Sequence, residues 1–223
     1  YNQFRRESAT VNARGFTRSF FFDEFGNLEK LIEETGAERR YTYDPSQVHN
    51  RLTKKDPMGY LTQYQYDVNG NVTQVTNPSA GTVTFSDFTS YNQPGKTKDA
   101  TGNFTVYQYD GNGNLINEIS LKNGIDPGIP SSYIPNPPDI IAWSVHGYDG
   151  FGNRITSKQV RDFTAQAGPE IRTSYAVDGL YPISVERCGD QDGDGVITEP
   201  AECDTQALSY DSVGRLRQGI DAD

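Results

Sequence analysis

The chain has 223 residues, a net charge of −10 and 34% apolar residues, enough for one domain or for one section of a longer array. The negative charge argues against a broad nucleic-acid-binding face, because phosphates need clustered Lys and Arg. No apolar run approaches the roughly 20 residues that span a bilayer.

Fourteen Tyr and 11 Phe supply much of the apolar surface, accompanied by 22 Gly and 12 Pro. That mixture favours strands joined by turns. No signal peptide is visible at Tyr1, and the chain opens inside a pattern, so we expect a fragment or ordered part of something longer. The first copy of the pattern is Phe20-Phe21-Phe22-Asp23-Glu24-Phe25-Gly26-Asn27-Leu28. Tyr41-Thr42-Tyr43-Asp44 starts the same way and loses its Gly to the segment Pro45–Asn50. A turn signal, Asp56-Pro57-Met58-Gly59, leads to the clearest unit, Tyr64-Gln65-Tyr66-Asp67-Val68-Asn69-Gly70-Asn71-Val72. Tyr91-Asn92-Gln93-Pro94-Gly95-Lys96 keeps only the frame. After a second turn signal, Asp99-Ala100-Thr101-Gly102-Asn103, the clear unit recurs as Tyr107-Gln108-Tyr109-Asp110-Gly111-Asn112-Gly113-Asn114-Leu115. Looser copies follow at Gly147–Arg154 and Ser209–Leu216. Asp23, Asp44 and Asp67 stand 21 and 23 residues apart, which sets one register for the array.

The unit is readable as chemistry. Tyr64 and Tyr66 alternate with Gln63 and Gln65, so tyrosines take one face of a strand and glutamines the other. Asp67 begins a turn in which its carboxylate accepts backbone N–H groups. Gly70 and Asn71 are residue types that tolerate positive φ. Val72, Gln74 and Thr76 start a returning strand of the same period. Each unit is therefore a hairpin, and since one hairpin is marginal alone, stacking should bury the tyrosine rows against each other. The expected fold is all-β, with stacked antiparallel hairpins over 1–223.

The repeated Tyr-x-Tyr-Asp-x-x-Gly-Asn-Leu/Val resembles the rearrangement-hotspot (RHS)/YD-repeat family, clearly over residues 15–120 and loosely over 140–216. The resemblance implies a long β-sheet that spirals into a hollow shell. In bacterial toxins of the family such a shell encloses a toxic C-terminal domain, and in animal relatives it belongs to an adhesion ectodomain. Neither an autoproteolysis segment nor a toxin domain is visible in this sequence.

Two segments interrupt the array. Residues 121–142 are too rich in Pro for a central strand or a helix and read as an extended surface loop. Residues 188–203 run Cys188-Gly189-Asp190-Gln191-Asp192-Gly193-Asp194-Gly195-Val196-Ile197-Thr198-Glu199-Pro200-Ala201-Glu202-Cys203. Asp190, Asp192 and Asp194, each two apart and followed by Gly195, resemble the start of an EF-hand-type calcium loop. The resemblance implies a Ca²⁺ held by these carboxylates and the Val196 carbonyl. The twelfth position, a bidentate Glu in that motif, is Ala201 here, so Glu199 or Glu202 must stand in, or water. The alternative is a solvated acidic turn. Cys188 and Cys203 bracket the loop. A disulfide between them would stabilise by about 3 kcal/mol in the chain-entropy model and would argue for export; the alternative is two free cysteines.

His49 and His146 are the only histidines and sit in unrelated contexts. No nucleophile elbow, metalloprotease helix or phosphate loop is present, so no enzyme is expected. The leading function is a structural wall or scaffold, bacterial and secreted or at the cell surface, pairing with neighbouring repeats of the same or another chain and enclosing cargo or forming an extracellular assembly. The alternative is a module of a secreted adhesin whose aromatic rows bind a surface glycan or a protein.

Overall fold

The computed structural model describes residues 8–190, 202–211 and 213–221. These contain seventeen strands and two short 3₁₀ turns. The chain divides into two compact units, Tyr1–Ser86 with Lys98–Thr101, and Asp87–Thr97 with Gly102–Asp223.

In the first unit eight strands follow one another: β1 (Ala9–Val11), β2 (Thr17–Phe22), β3 (Leu28–Ile32), β4 (Glu38–Tyr43), β5 (Arg51–Lys55), β6 (Leu61–Tyr66), β7 (Val72–Thr76) and β8 (Thr82–Ser86). Each pairs antiparallel with the next. A short β9 (Lys96–Lys98) pairs with β10 (Phe104–Tyr109). In the second unit β10 opens another meander, through β11 (Leu115–Leu121), β12 (Ile140–Tyr148), β13 (Arg154–Val160), β14 (Glu170–Tyr175), β15 (Pro182–Cys188), β16 (Cys203–Tyr210) and β17 (Leu216–Asp221). The fold is thus the expected all-β array of antiparallel hairpins, each strand of a meander pairing with the next.

The hairpins share a feature that the alternation of residues does not announce. In β6–β7, Gln65 faces Gln74 while Tyr66 faces Val72, so Thr73 is an extra residue, a β-bulge. The same shift falls at Phe22, Tyr43, Tyr109, Tyr148, Tyr175 and Tyr210. The bulge corrects the expected phase of the returning strand. Val72 and Gln74 do not continue one face: Val72 pairs with Tyr66 and Gln74 with Gln65.

The expected burial of tyrosine rows against each other is also corrected. Tyr64 and Tyr66 are half-buried and Gln63 and Gln65 exposed, as the alternation requires. In this first unit, however, the guanidinium of Arg51 lies between rings, 4.7 Å from Tyr64 and 5.8 Å from Tyr41, a cation–π arrangement. The buried core lies in the second unit. Val106, Ile119, Trp143 and Val160 are buried and stand opposite one another in register across β10, β11, β12 and β13. Leu121 and Ile140 join them. Val106 alternates with Tyr107, so this core occupies the glutamine face, opposite the tyrosines.

What covers that face is the Pro-rich segment between β11 and β12. It forms 3₁₀ turns at Pro130–Ser132 and Pro137–Asp139. Ile125 and Tyr133 pack against the core, and Pro127 and Pro130 are buried. The segment is a cover and not an extended surface loop. The half-buried glutamine beneath it is fully engaged: Gln108 Nε2 donates to the Pro130 carbonyl (2.9 Å) and the Tyr133 carbonyl (2.8 Å). Its Oε1 accepts from Asn117 Nδ2 (2.9 Å), whose Oδ1 accepts from Trp143 Nε1 (2.9 Å). Such satisfaction is what lets polar side chains sit beside a core.

Candidate functional site

The repeat turn is built on an aspartate in each of five copies. Asp67 Oδ1 accepts from the N–H groups of Asn69 and Asn71 (both 2.9 Å), and Asp67 Oδ2 accepts from Asn71 Nδ2 (2.8 Å). Gly70 has φ +83° and its N–H donates to the Asp67 carbonyl (3.1 Å). Asn71 is not among the positive-φ residues; its role is to donate its amide, which corrects the expectation from residue type. The same arrangement joins Asp23 to Asn27, Asp110 to Asn114 and Asp149 to Asn153. In the last copy Arg215 replaces Asn and meets Asp211 through its guanidinium (2.7 Å). These bonds favour the ionised carboxylates. The Asn71 and Asn114 amides hold Asp67 and Asp110 below the usual aspartate range, and the Arg215 backbone and side chain do so for Asp211.

The second tyrosine of four copies is an anchor. The Tyr43 hydroxyl donates to the Leu28 carbonyl (3.0 Å) and that of Tyr66 to Arg51 (2.9 Å). In the second unit Tyr109 donates to Pro94 and Tyr148 to Leu115 (both 3.0 Å). Leu28, Arg51 and Leu115 each open the returning strand of an earlier hairpin. The hydroxyl therefore ties one repeat to another, which a phenylalanine could not do. Desolvation raises the Tyr43, Tyr66 and Tyr109 phenols above their ordinary value.

The acidic segment is entered and left through a closed neck. Cys188 ends β15, Cys203 opens β16, and the two stand directly opposite each other. They form a disulfide with their Cα atoms 4.1 Å apart, as the bracketing of the loop suggested. One residue further, the Gly189 N–H donates to the Glu202 carbonyl (3.1 Å). Of the expected calcium ligands, Glu202 is buried at 6% exposure and Asp190 is exposed. Asp192, Asp194, Val196 and Glu199 lie outside the described residues. Beside the neck runs a charge ladder that the sequence did not announce. Glu170 meets Lys158 and Arg172 (3.0 Å each), and Arg172 meets Glu186 (3.4 Å). These side chains hold Glu170 ionised, against the opposing effect of its burial.

A recess of about 320 Å³ in the second unit is lined by Phe88, Tyr91, Tyr107, Tyr109, Asp87 and Ile129 among others. Three of its polar groups are engaged by the protein: Asp87 pairs with Lys96 (3.2 Å), Tyr91 donates to the Gly111 carbonyl (3.3 Å) and Tyr109 to Pro94. Among the described residues no helix is long and apolar enough to cross a membrane.

Fold and turn chemistry together define a β-hairpin repeat protein. The family described as RHS Repeat matches residues 48–82, which hold the clearest unit. No curated protein matches the sequence. The crystal structure of TcdB2-TccC3 is similar over 92% of this chain and 11% of that chain, at 17% identity and a TM-score of 0.62. The crystal structure of TcdB2-TccC3-TEV is similar over 96% of this chain and 12% of that one, at 12% identity and a TM-score of 0.52. At such identities the likeness is one of fold, and the chain spans about an eighth or less of the solved chains it matches.

Proposed function

We propose that this chain is a structural wall segment of a hollow, toxin-associated bacterial shell, exported from the cytosol, and that it carries a structural calcium site. The observation that carries the first part is the use made of the repeat residues. The aspartates hold turns and the second tyrosines tie one repeat to another. The turn aspartates and second tyrosines are thus engaged in cohesion of the array, which favours a wall over an enzyme or an adhesin site. The fold likeness to TcdB2-TccC3 supports the same reading. Its partners are neighbouring repeats, added through strand pairing, and the space behind the wall would hold cargo. The disulfide supports a location outside the cytosol. Electron microscopy of the longer parent protein should show a hollow particle walled by this segment; a solid particle packed round one apolar core would refute the proposal.

For calcium, the supporting observation is the neck. The disulfide and the Gly189–Glu202 bond bring both ends of the acidic segment together, which confines like charges that a cation would compensate. Calorimetry on the oxidised chain should show one Ca²⁺ bound, and chelation should lower the melting temperature. Asp192→Ala should remove that dependence and leave the hairpins folded. No binding at millimolar Ca²⁺ would defeat the calcium site and leave the wall untouched.

A further inference from the structure

Three donors meet at the neck of the acidic segment: Glu186, Cys188 and Cys203. Glu186 and Cys188 are two apart on β15 and share a face, and Cys203 stands opposite Cys188. A Glu186 carboxylate oxygen and the two sulfurs lie within 4.8 Å of one another. We propose that reduction of the Cys188–Cys203 bond turns this cluster into a site for a thiophilic divalent cation, Zn²⁺, held by two thiolates and the Glu186 carboxylate, with water in the fourth position.

The geometry suits the ion. Two thiolates on one tetrahedral zinc, each about 2.3 Å from it, stand roughly 3.8 Å apart. Opposed Cβ atoms in an antiparallel pair are about 4.5–5.5 Å apart, and the backbones here approach to 4.1 Å between Cα atoms. Both sulfurs reach the required separation by side-chain rotation, with the strands held by β15–β16 pairing on one side and β14–β15 on the other. Two sulfurs and one oxygen select zinc over calcium or magnesium, which take oxygen alone. Arg172, the present partner of Glu186, also pairs with Glu170. It therefore keeps a counter-charge when Glu186 turns to the metal.

The conversion balances. A dithiol gives two electrons and two protons to the S–S bond, which breaks into two thiols while the dithiol closes to its own disulfide. Zn²⁺ then displaces both thiol protons to solvent as two Zn–S bonds form. In a reducing compartment the pair is present as thiols, and beyond it as a disulfide. One pair of cysteines thereby closes the same neck on both sides of export, by metal first and by a covalent bond afterwards.

The test uses the 223-residue chain, reduced with a dithiol and freed of it under inert gas. Titration with Cd²⁺, a spectroscopic substitute for Zn²⁺, should produce a thiolate-to-metal charge-transfer band that saturates at one ion per chain. Zn²⁺ in large excess should compete for the same site and reduce the band. The oxidised chain should give no band, and Cys203→Ser should lose it. Glu186→Gln, checked for folding by circular dichroism, should keep the band and weaken binding at least about tenfold, the least expected even for an outer-shell partner. Asp192→Ala should leave the band unchanged, which separates this site from the calcium proposal. No band in the reduced chain, equal affinity in Glu186→Gln, or loss of the band in Asp192→Ala would overturn the inference.

Discussion

Two tyrosines of one strand allow a sharp test of the anchor. Tyr107 and Tyr109 lie on the same face of β10, two residues apart, in the same unit. The Tyr109 hydroxyl donates to the Pro94 carbonyl at 3.0 Å; no described residue accepts from the Tyr107 hydroxyl. Replacing either by Phe removes one oxygen and keeps the ring. A net neutral hydrogen bond contributes about 0.5–1.5 kcal/mol, and Tyr109→Phe also leaves a carbonyl short of a donor. We expect Tyr109→Phe to cost about 1 kcal/mol and Tyr107→Phe to stay within about 0.5 kcal/mol, the usual range for a surface change. For 150–250 residues about 1 kcal/mol is a fall of roughly 2–4 °C in melting temperature. Calorimetric scans of the two variants beside the parent, with circular dichroism to confirm equal strand content, give the comparison. Equal losses, or a larger loss at Tyr107, would refute the reasoning that the second tyrosine is chosen for its hydroxyl.

The turn aspartates predict an acid limit. Their folded pKa values lie below the ordinary value of about 3.9. Their contribution is therefore complete above that value and is lost as pH falls through the lowered folded values; melting temperatures should be flat from pH 5 to 7 and drop below about pH 4. The tyrosines set an alkaline limit of opposite sign. Their raised folded values mean stability complete below about pH 10 and lost above it, and phenolate absorbance of the folded chain should lag that of the chain in denaturant. Gly95→Ala should destabilise the second unit by about 1–3 kcal/mol, because a Cβ there would stand 2.6 Å from the Asp87 carbonyl oxygen and 3.2 Å from Pro130. Urea unfolding measures it, and a variant as stable as the parent would show that this backbone can give way.

The sequence by itself determined the hairpins of the repeat copies it showed, their turns and their order; the β14–β15 hairpin was not among them. These follow from alternation within six residues and from Asp and Gly within five, distances over which side chain and backbone bond to each other without any tertiary partner. It also pointed to a disulfide, because the two cysteines bracket an inserted segment; the structure decided for that bond over two free cysteines. The roles of the Asn in each turn and of the second tyrosine were written in the repeated residue types but not legible as bonds, since each needs a geometry that only the folded turn or an earlier hairpin supplies. Three features belonged to the tertiary structure alone. The bulges add one residue to each returning strand and so reassign its faces. The core of the second unit lies on the glutamine face, because the segment between β11 and β12 folds back over Val106, Ile119 and Trp143. Glu186 meets the two sulfurs only through the register of β15 with β16. In each case the deciding contact joins residues far apart in sequence, and local pattern carries no information on which of two faces such a contact will cover.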